Sequence, residues 1–257
     1  MQKHIWWAGG ALVVIAAVVL FFSWRSNRHP TAPPAAVASA PPVPPPAIQN
    51  PVPPSGPAPQ PLPTLEASDA PLRDAMAGLV GKHSEDSLFK PDQLIRHIVV
   101  TVDNLSRKKA AFESRPTKPL TGTFLAKGDE QRSVLDPANY QRYAAVMQVL
   151  QMLDTKQMAS LYFHFYPLFQ QEYQNQGYPN GYFNDRLVTT IDNLLATPDI
   201  TGDIVLIRPN VMYQFADPNL EDLSAGQKAL LRMGPQNIAI VKAKLRELRA
   251  QIASAPH

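Results

Sequence analysis

No cysteine occurs among the 257 residues. Disulfide frameworks, thiolate zinc sites, iron–sulfur clusters and cysteine nucleophiles are excluded at once. Acidic side chains are missing from residues 1–63, where Lys3, Arg25 and Arg28 stand without Asp or Glu. The formal net charge of +3 therefore belongs to this zone, and residues 64–257 carry 21 basic and 21 acidic side chains. A folded part with no basic excess lacks the electrostatic footprint of a nucleic-acid binder, despite a sequence pI near 9.1. Nucleic acid is not an expected partner. The six histidines show no HExxH or HxH spacing, and no GxSxG, phosphate-loop or GxGxxG pattern occurs. Motifs thus assign no metal, no cofactor and no catalytic residue.

What is present divides into zones. After a short tail, residues 1–4, the run 5–24 reads IWWAGGALVVIAAVVLFFSW without a charge. At about 1.5 Å per helical residue it matches the ~30 Å hydrocarbon core. Trp6, Trp7 and Trp24 near its ends, with Lys3, Arg25 and Arg28 beyond them, suit the two membrane interfaces. The expectation is a transmembrane helix with the lipid bilayer as partner through residues 5–24. The run exceeds the ~7–15 residue core of a cleaved signal peptide, so an uncleaved signal anchor is the reading.

Residues 25–63 form the expected linker, since 30–63 contain 15 prolines and no charged side chain. Such a composition favours polyproline II, and 34 residues at about 3.1 Å each reach on the order of 100 Å when fully extended. PPVPPP can dock an aromatic groove, although a spacer is the commoner use.

Residues 64–252 form the expected helical domain. Ser68 reads as the N-cap of a helix over DAPLRDAMAGLV, with Leu72, Met76 and Leu79 on one face and Gly81 at its end. Behind Pro91, residues Leu94, Ile95, Ile98, Val99, Val102 and Leu105 recur at helical spacing, although IVVTV alone also fits a strand. TFLA and SVLD can pair around AKGDEQR as a hairpin. Asp136-Pro137 starts a further helix, and Asp154 caps one that contains Pro167 and an expected kink. Asn184 or a neighbour caps RLVTTIDNLLA, which stops at Pro198, and IVLIRP with VMYQFAD reads as a small two-stranded element. Ser224 and Gln227 have capping-box spacing, and Gly234-Pro235 precedes the last helix, NIAIVKAKLRELRAQI. The expected fold class is mainly α: a single-pass transmembrane helix, a proline-rich linker, then one helical domain with a candidate small β-hairpin element.

The segments LIRHIVVTVDNL, LDPANYQRY, YPNGYFNDRLV, IDNLLATP, QFADPNLEDLSAGQKALLRMGP and VKAKLREL, in that order, resemble the proteobacterial domain of unknown function number three thousand and fourteen. The resemblance covers about residues 64–250 and implies an N-terminal anchor and a proline-rich linker. It implies no activity.

Nine of the 21 aromatic residues fall between Tyr162 and Phe183. A packed core explains Tyr162, Phe165, Tyr166 and Phe169, whereas the turn around YPNGYFNDR can present rings to a sugar face or a peptide. The candidate binding residues are Tyr178, Asn180, Tyr182, Phe183, Asp185 and Arg186. A competing reading puts Asp185 at the positive end of the next helix and Arg186 in an ion pair that fixes the turn. Lys242, Lys244, Arg246 and Arg249, with Lys228 and Arg232 before them, form a basic stretch that fits an anionic surface or an ordinary solvated helix.

The function expected from these features is that of an inner-membrane-anchored bacterial envelope protein. Its domain is expected on the periplasmic side, binding a protein or cell-wall partner without enzymatic activity. One alternative is a cell-wall hydrolase using Asp185 and Glu172 as a carboxylate pair. Another is a membrane adaptor facing the cytoplasm.

Overall fold

The computed structural model describes residues 47–53, 62–108, 114–129, 132–209 and 212–253. Its helices are α1 (Asp69–Val80), α2 (Lys82–Leu88), α3 (Leu94–Leu105), α4 (Ala144–Met152), α5 (Thr155–Asn175), α6 (Phe183–Leu195), α7 (Pro218–Glu221), α8 (Ala225–Met233) and α9 (Pro235–Ile252). The strands are β1 (Ala126–Gly128), β2 (Ser133–Leu135), β3 (Val205–Ile207) and β4 (Gln214–Phe215).

The expected fold class needs correction in two respects. Among the described residues, no helix is long and apolar enough to cross a membrane. The longest of them, the 21-residue α5, turns an apolar side to the core and carries Lys156 and Glu172 besides several amides. Residues 5–24, on which the transmembrane expectation rested, lie outside the described residues. The second correction concerns the strands. Two hairpins form, the first with its leading strand at Ala126–Gly128, in the stretch expected as the turn, rather than along TFLA. Pairing of Ser133 with Leu206 and Val134 with Val205 joins them into one four-stranded antiparallel sheet, β1-β2-β3-β4.

Helix α9 lies at the centre, packed on α4, α5, α6 and α8. Its residues Val241, Leu245 and Leu248 have no exposed surface, and Ile238 and Ile252 are buried beside them. Several boundaries follow from caps. The Asp154 carboxylate accepts from the N–H groups of Lys156 (2.8 Å) and Gln157 (3.1 Å), and α5 runs on through Pro167. Ser224 and Gln227 make the reciprocal capping box. Asp136 starts a 3-10 turn over Pro137–Tyr143 rather than an α-helix, and α4 begins only at Ala144. Gly234, at φ 86°, links α8 to α9 where the Tyr140 ring lies 2.6 Å from the place a Cβ would take. A glycine is therefore required there on two counts.

Ser68 does not cap α1; its hydroxyl donates to the Leu65 carbonyl at 2.6 Å, closing a short 3-10 turn ahead of the helix. Helix α2 has no apolar period to announce it. It is held by Glu85, a fully buried carboxylate paired with Arg73 at 2.7 Å and Lys82 at 3.2 Å. Helix α3 starts three residues after Pro91, behind Gln93 in a left-handed conformation (φ 52°, ψ 35°). The Asp69 carboxylate of α1 caps it from a distance, accepting from the N–H groups of Gln93 (2.7 Å) and Leu94 (2.9 Å).

Replacing Gln93 with glycine relieves the left-handed strain, and Gln93→Gly is expected to raise stability by roughly 0.5–1 kcal/mol. Asp69→Ala leaves two backbone donors without their carboxylate and is expected to lower it by about 1–3 kcal/mol. Urea unfolding followed by circular dichroism checks both.

Candidate functional site

The turn 176–182 joins α5 to α6, and Gln170 of α5 holds it in shape. The Gln170 side chain donates to the Gly181 carbonyl (2.7 Å) and accepts from the Phe183 N–H (2.8 Å) and the Tyr166 hydroxyl (3.0 Å). It thus serves an N-terminal donor of α6, whose N-cap residue Tyr182 offers no side-chain bond. Gly181 passes close to the Tyr173 ring, which would stand 2.9 Å from a Cβ there.

The six sequence-predicted binding residues separate into four groups. Phe183 is 1% exposed and stacks on Phe169 with centroids 5.7 Å apart and planes 18° apart, beside Tyr162 and Tyr173. Its ring is part of the core and is not presented to a ligand. Tyr178 and Arg186 face α3. The Tyr178 hydroxyl donates to Asp103 Oδ2 at 3.1 Å and accepts from Arg107 Nη2 at 2.6 Å. Arg107 reaches the same carboxylate oxygen at 2.7 Å, and Arg186 Nε lies 3.0 Å from Oδ1, close enough to pair without hydrogen-bond alignment. Arg186 also donates through Nη2 to the Asp103 main-chain carbonyl. This cluster fixes the turn, and the Tyr178 ring stacks on Tyr173 at 4.4 Å.

Asn180 is exposed and Tyr182 half-buried at the rim of the turn. Asp185, in the first turn of α6, is met by the expected linker. Its Oδ2 accepts from the Gln49 N–H at 3.1 Å, and its Oδ1 from the N–H (2.7 Å) and side-chain amide (3.0 Å) of Asn50. Neighbouring Asn184 is fully buried; its Nδ2 donates to the Asn50 carbonyl and to the Ile252 carbonyl at the end of α9, both at 2.9 Å. Its Oδ1 accepts from the Tyr162 hydroxyl at 3.0 Å. Burial pushes the Tyr162 phenol well above its ordinary range. Tyr166, beside Asp185 and Tyr182, is pushed up to about 12, chiefly by burial. Both phenols are therefore neutral hydrogen-bonding groups at any physiological pH.

Residues 49–50 are thus gripped by the domain, so the linker expected over 25–63 is not a spacer throughout. Asn184 and Asn50 were not among the predicted site residues, nor were Asp103 and Arg107, although the last two stand at i,i+4 ion-pair spacing, Asp103 in the last turn of α3 and Arg107 just beyond it. Nothing local in residues 47–53 signals a contact with residues some 135 positions away.

Glu172, the other carboxylate of the hydrolase alternative, is buried and accepts from Gln176 Nε2 at 3.0 Å. It shares no hydrogen-bond partner with Asp185 among those described. The basic stretch is largely occupied internally. Lys242 is buried and donates to the Thr197 carbonyl (2.6 Å) and to Asp199 (3.0 Å). Lys244 meets the Leu153 carbonyl and Glu247, Lys228 meets Glu221, and Arg249 forms a two-pronged pair with Asp192. Arg232 lies 4.5 Å over the Phe215 ring, where burial lowers its guanidinium to about 10. Among the described residues, no three or more His, Asp or Glu side chains are placed to share a metal ion.

Residues 94–249, from α3 through most of α9, match the family described as protein of unknown function DUF3014. The chain belongs to that family. The match takes in Asp103, the turn 176–182 and Asn184–Arg186 but not residues 47–53. No curated protein and no solved structure matches the chain.

Phe183→Ala removes a core ring and is expected to cost about 3–5 kcal/mol, whereas Asn180→Ala at the exposed rim stays within about 0.5 kcal/mol. Chemical denaturation of the two variants measures the difference.

Proposed function

We propose that this DUF3014 protein is a non-enzymatic binding module of the bacterial envelope, whose domain holds a partner at the start of α6. The observation that carries the reading is the grip of Asn184 and Asp185 on a bend of polypeptide at residues 49–50. The pair bonds two consecutive N–H groups and a carbonyl, which is recognition of main chain. Groups so arranged favour a peptide over a wall glycan, because the N-acetyl amides of a glycan are set one to a sugar and do not bring two consecutive donors to one carboxylate. Tyr182 and Asn180 supply a half-exposed rim beside the grip, the mixture of aromatic and amide groups that suits a polar interface. The uncharged run 5–24 and the lack of cysteine support placement at the envelope.

A photo-crosslinking benzophenone in place of Tyr182, in living cells, tests the proposal. A discrete protein adduct is expected, absent when the same group replaces Met152, which is 75% exposed on α4. Adding Asp185→Ala to the Tyr182 probe is expected to remove the adduct. If position 182 gives no product of its own, the reading fails.

A further inference from the structure

Residues 47–53, AIQNPVP, lie in a stretch of low complexity, yet the part that docks is the part that departs from it. Asn50 is the one asparagine and Ile48 the one isoleucine in residues 30–63. Asn50 is read three ways. Its N–H and its side-chain amide reach one oxygen of Asp185, at 2.7 Å and 3.0 Å, and its carbonyl receives Asn184 Nδ2 at 2.9 Å. Gln49 and Asn50 lie in a bend that brings their two N–H groups to one carboxylate, and Pro51 follows at once.

The receiving half is rigid. Asn184 has no exposed surface, and its amide is clamped at both ends, by the Tyr162 hydroxyl and by the Ile252 carbonyl. It cannot swing away from residue 50 without breaking bonds to two other elements. With residue 50 gone, a buried donor would be left aimed at the vacated position, and buried donors are rarely left so.

We infer, resting on the binding reading above, that this cradle is a receptor for an Asn-Pro peptide bent at the asparagine. Residues 47–53 are its resident ligand in cis, and an Asn-Pro segment of a protein partner displaces them. Release and reach are then coupled. Docking at residue 50 shortens the free tether, and release lengthens it. The cis segment competes at the high effective concentration of a short tether, so the unaltered chain resists all but a strong or abundant partner.

The full chain, with a fluorescein-labelled AIQNPVP peptide and AIQAPVP as its control, tests this by fluorescence anisotropy. Asn50→Ala alters the linker and leaves the folded domain intact. The Asn50→Ala chain is expected to bind AIQNPVP at least about ten-fold more tightly than the unaltered chain does. It is expected to bind AIQAPVP at least about ten-fold more weakly than AIQNPVP. Adding Asp185→Ala to Asn50→Ala removes peptide binding, and Asp185→Asn, which keeps an acceptor oxygen, restores part of it at an unchanged melting temperature. Equal binding of the two peptides, or no saturable binding to the Asn50→Ala chain, overturns the receptor. Equal binding by the unaltered and Asn50→Ala chains overturns the cis latch. A dimer that Asn50→Ala converts to monomer would make a second copy the occupant and overturns it too. The adduct at position 182 is scored separately in cells, so loss of the latch is told apart from loss of the general binding reading.

Discussion

The packing of aromatic rings between α5 and the first turn of α6 is the contact on which the site depends. Phe183 stacks on Phe169 and touches Tyr162 and Tyr173, and each such ring removes a large apolar surface from water. With Phe183 fixed inward, the ~100° step per helical residue directs the three that follow. Asn184 and Arg186 fall at opposite edges of the helix, and Asp185 falls outside. Arg186 is thereby committed to Asp103 on α3, and Asn184 to the end of α9. Asp185 is left facing the segment that crosses over the helix. The placement of one core ring thus sorts three consecutive polar side chains into a brace, a clamp and a grip.

The distribution of charge reinforces that division. The domain carries equal numbers of both signs, and along α8 and α9 Lys228, Arg232, Lys242, Lys244 and Arg249 are bound to carbonyls, carboxylates or a ring. Such cations hold elements together and are poorly placed to attract an anionic surface. What the start of α6 offers a partner is short-range and geometric: two acceptor oxygens, one fixed amide and a half-exposed phenol. Interactions of that kind discriminate by register more than by long-range attraction.

Much of the helical frame was legible in the sequence because its signals are local. Asp154, the Ser224–Gln227 pair and Gly234-Pro235 mark boundaries through bonds spanning three residues or fewer, and the stripe from Leu94 to Leu105 predicts its helix by periodicity. The failures share a different cause. Helix α2 depends on Glu85 meeting Arg73 twelve residues away, and α3 starts where Asp69 reaches across from α1. Each hairpin could be read alone, but their union into one sheet needs β2 to find β3 about seventy residues later. For the site, Tyr178 and Arg186 brace the turn and the start of α6 against Asp103, and Phe183 reads as a surface aromatic only because burial has no local signature. Asn50 was invisible for the same reason.

The recognition of residue 50 also explains its register. A carboxylate with two free oxygens favours adjacent N–H donors, and proline supplies none. Residues 30–63 offer few places with consecutive donors, the longest being AAVASA at 35–40 and AIQN at 47–50. Main-chain bonding to Asp185 would accept either run, because alanine and glutamine present the same N–H. A proline follows each run at once, Pro41 after Ala40 and Pro51 after Asn50, but the side-chain amide of Asn50, 3.0 Å from Asp185 Oδ1, is available only in the second. A single amide therefore decides between two otherwise equivalent registers. The same reasoning sets what a competing partner must carry: consecutive main-chain donors ending in asparagine, with proline immediately after.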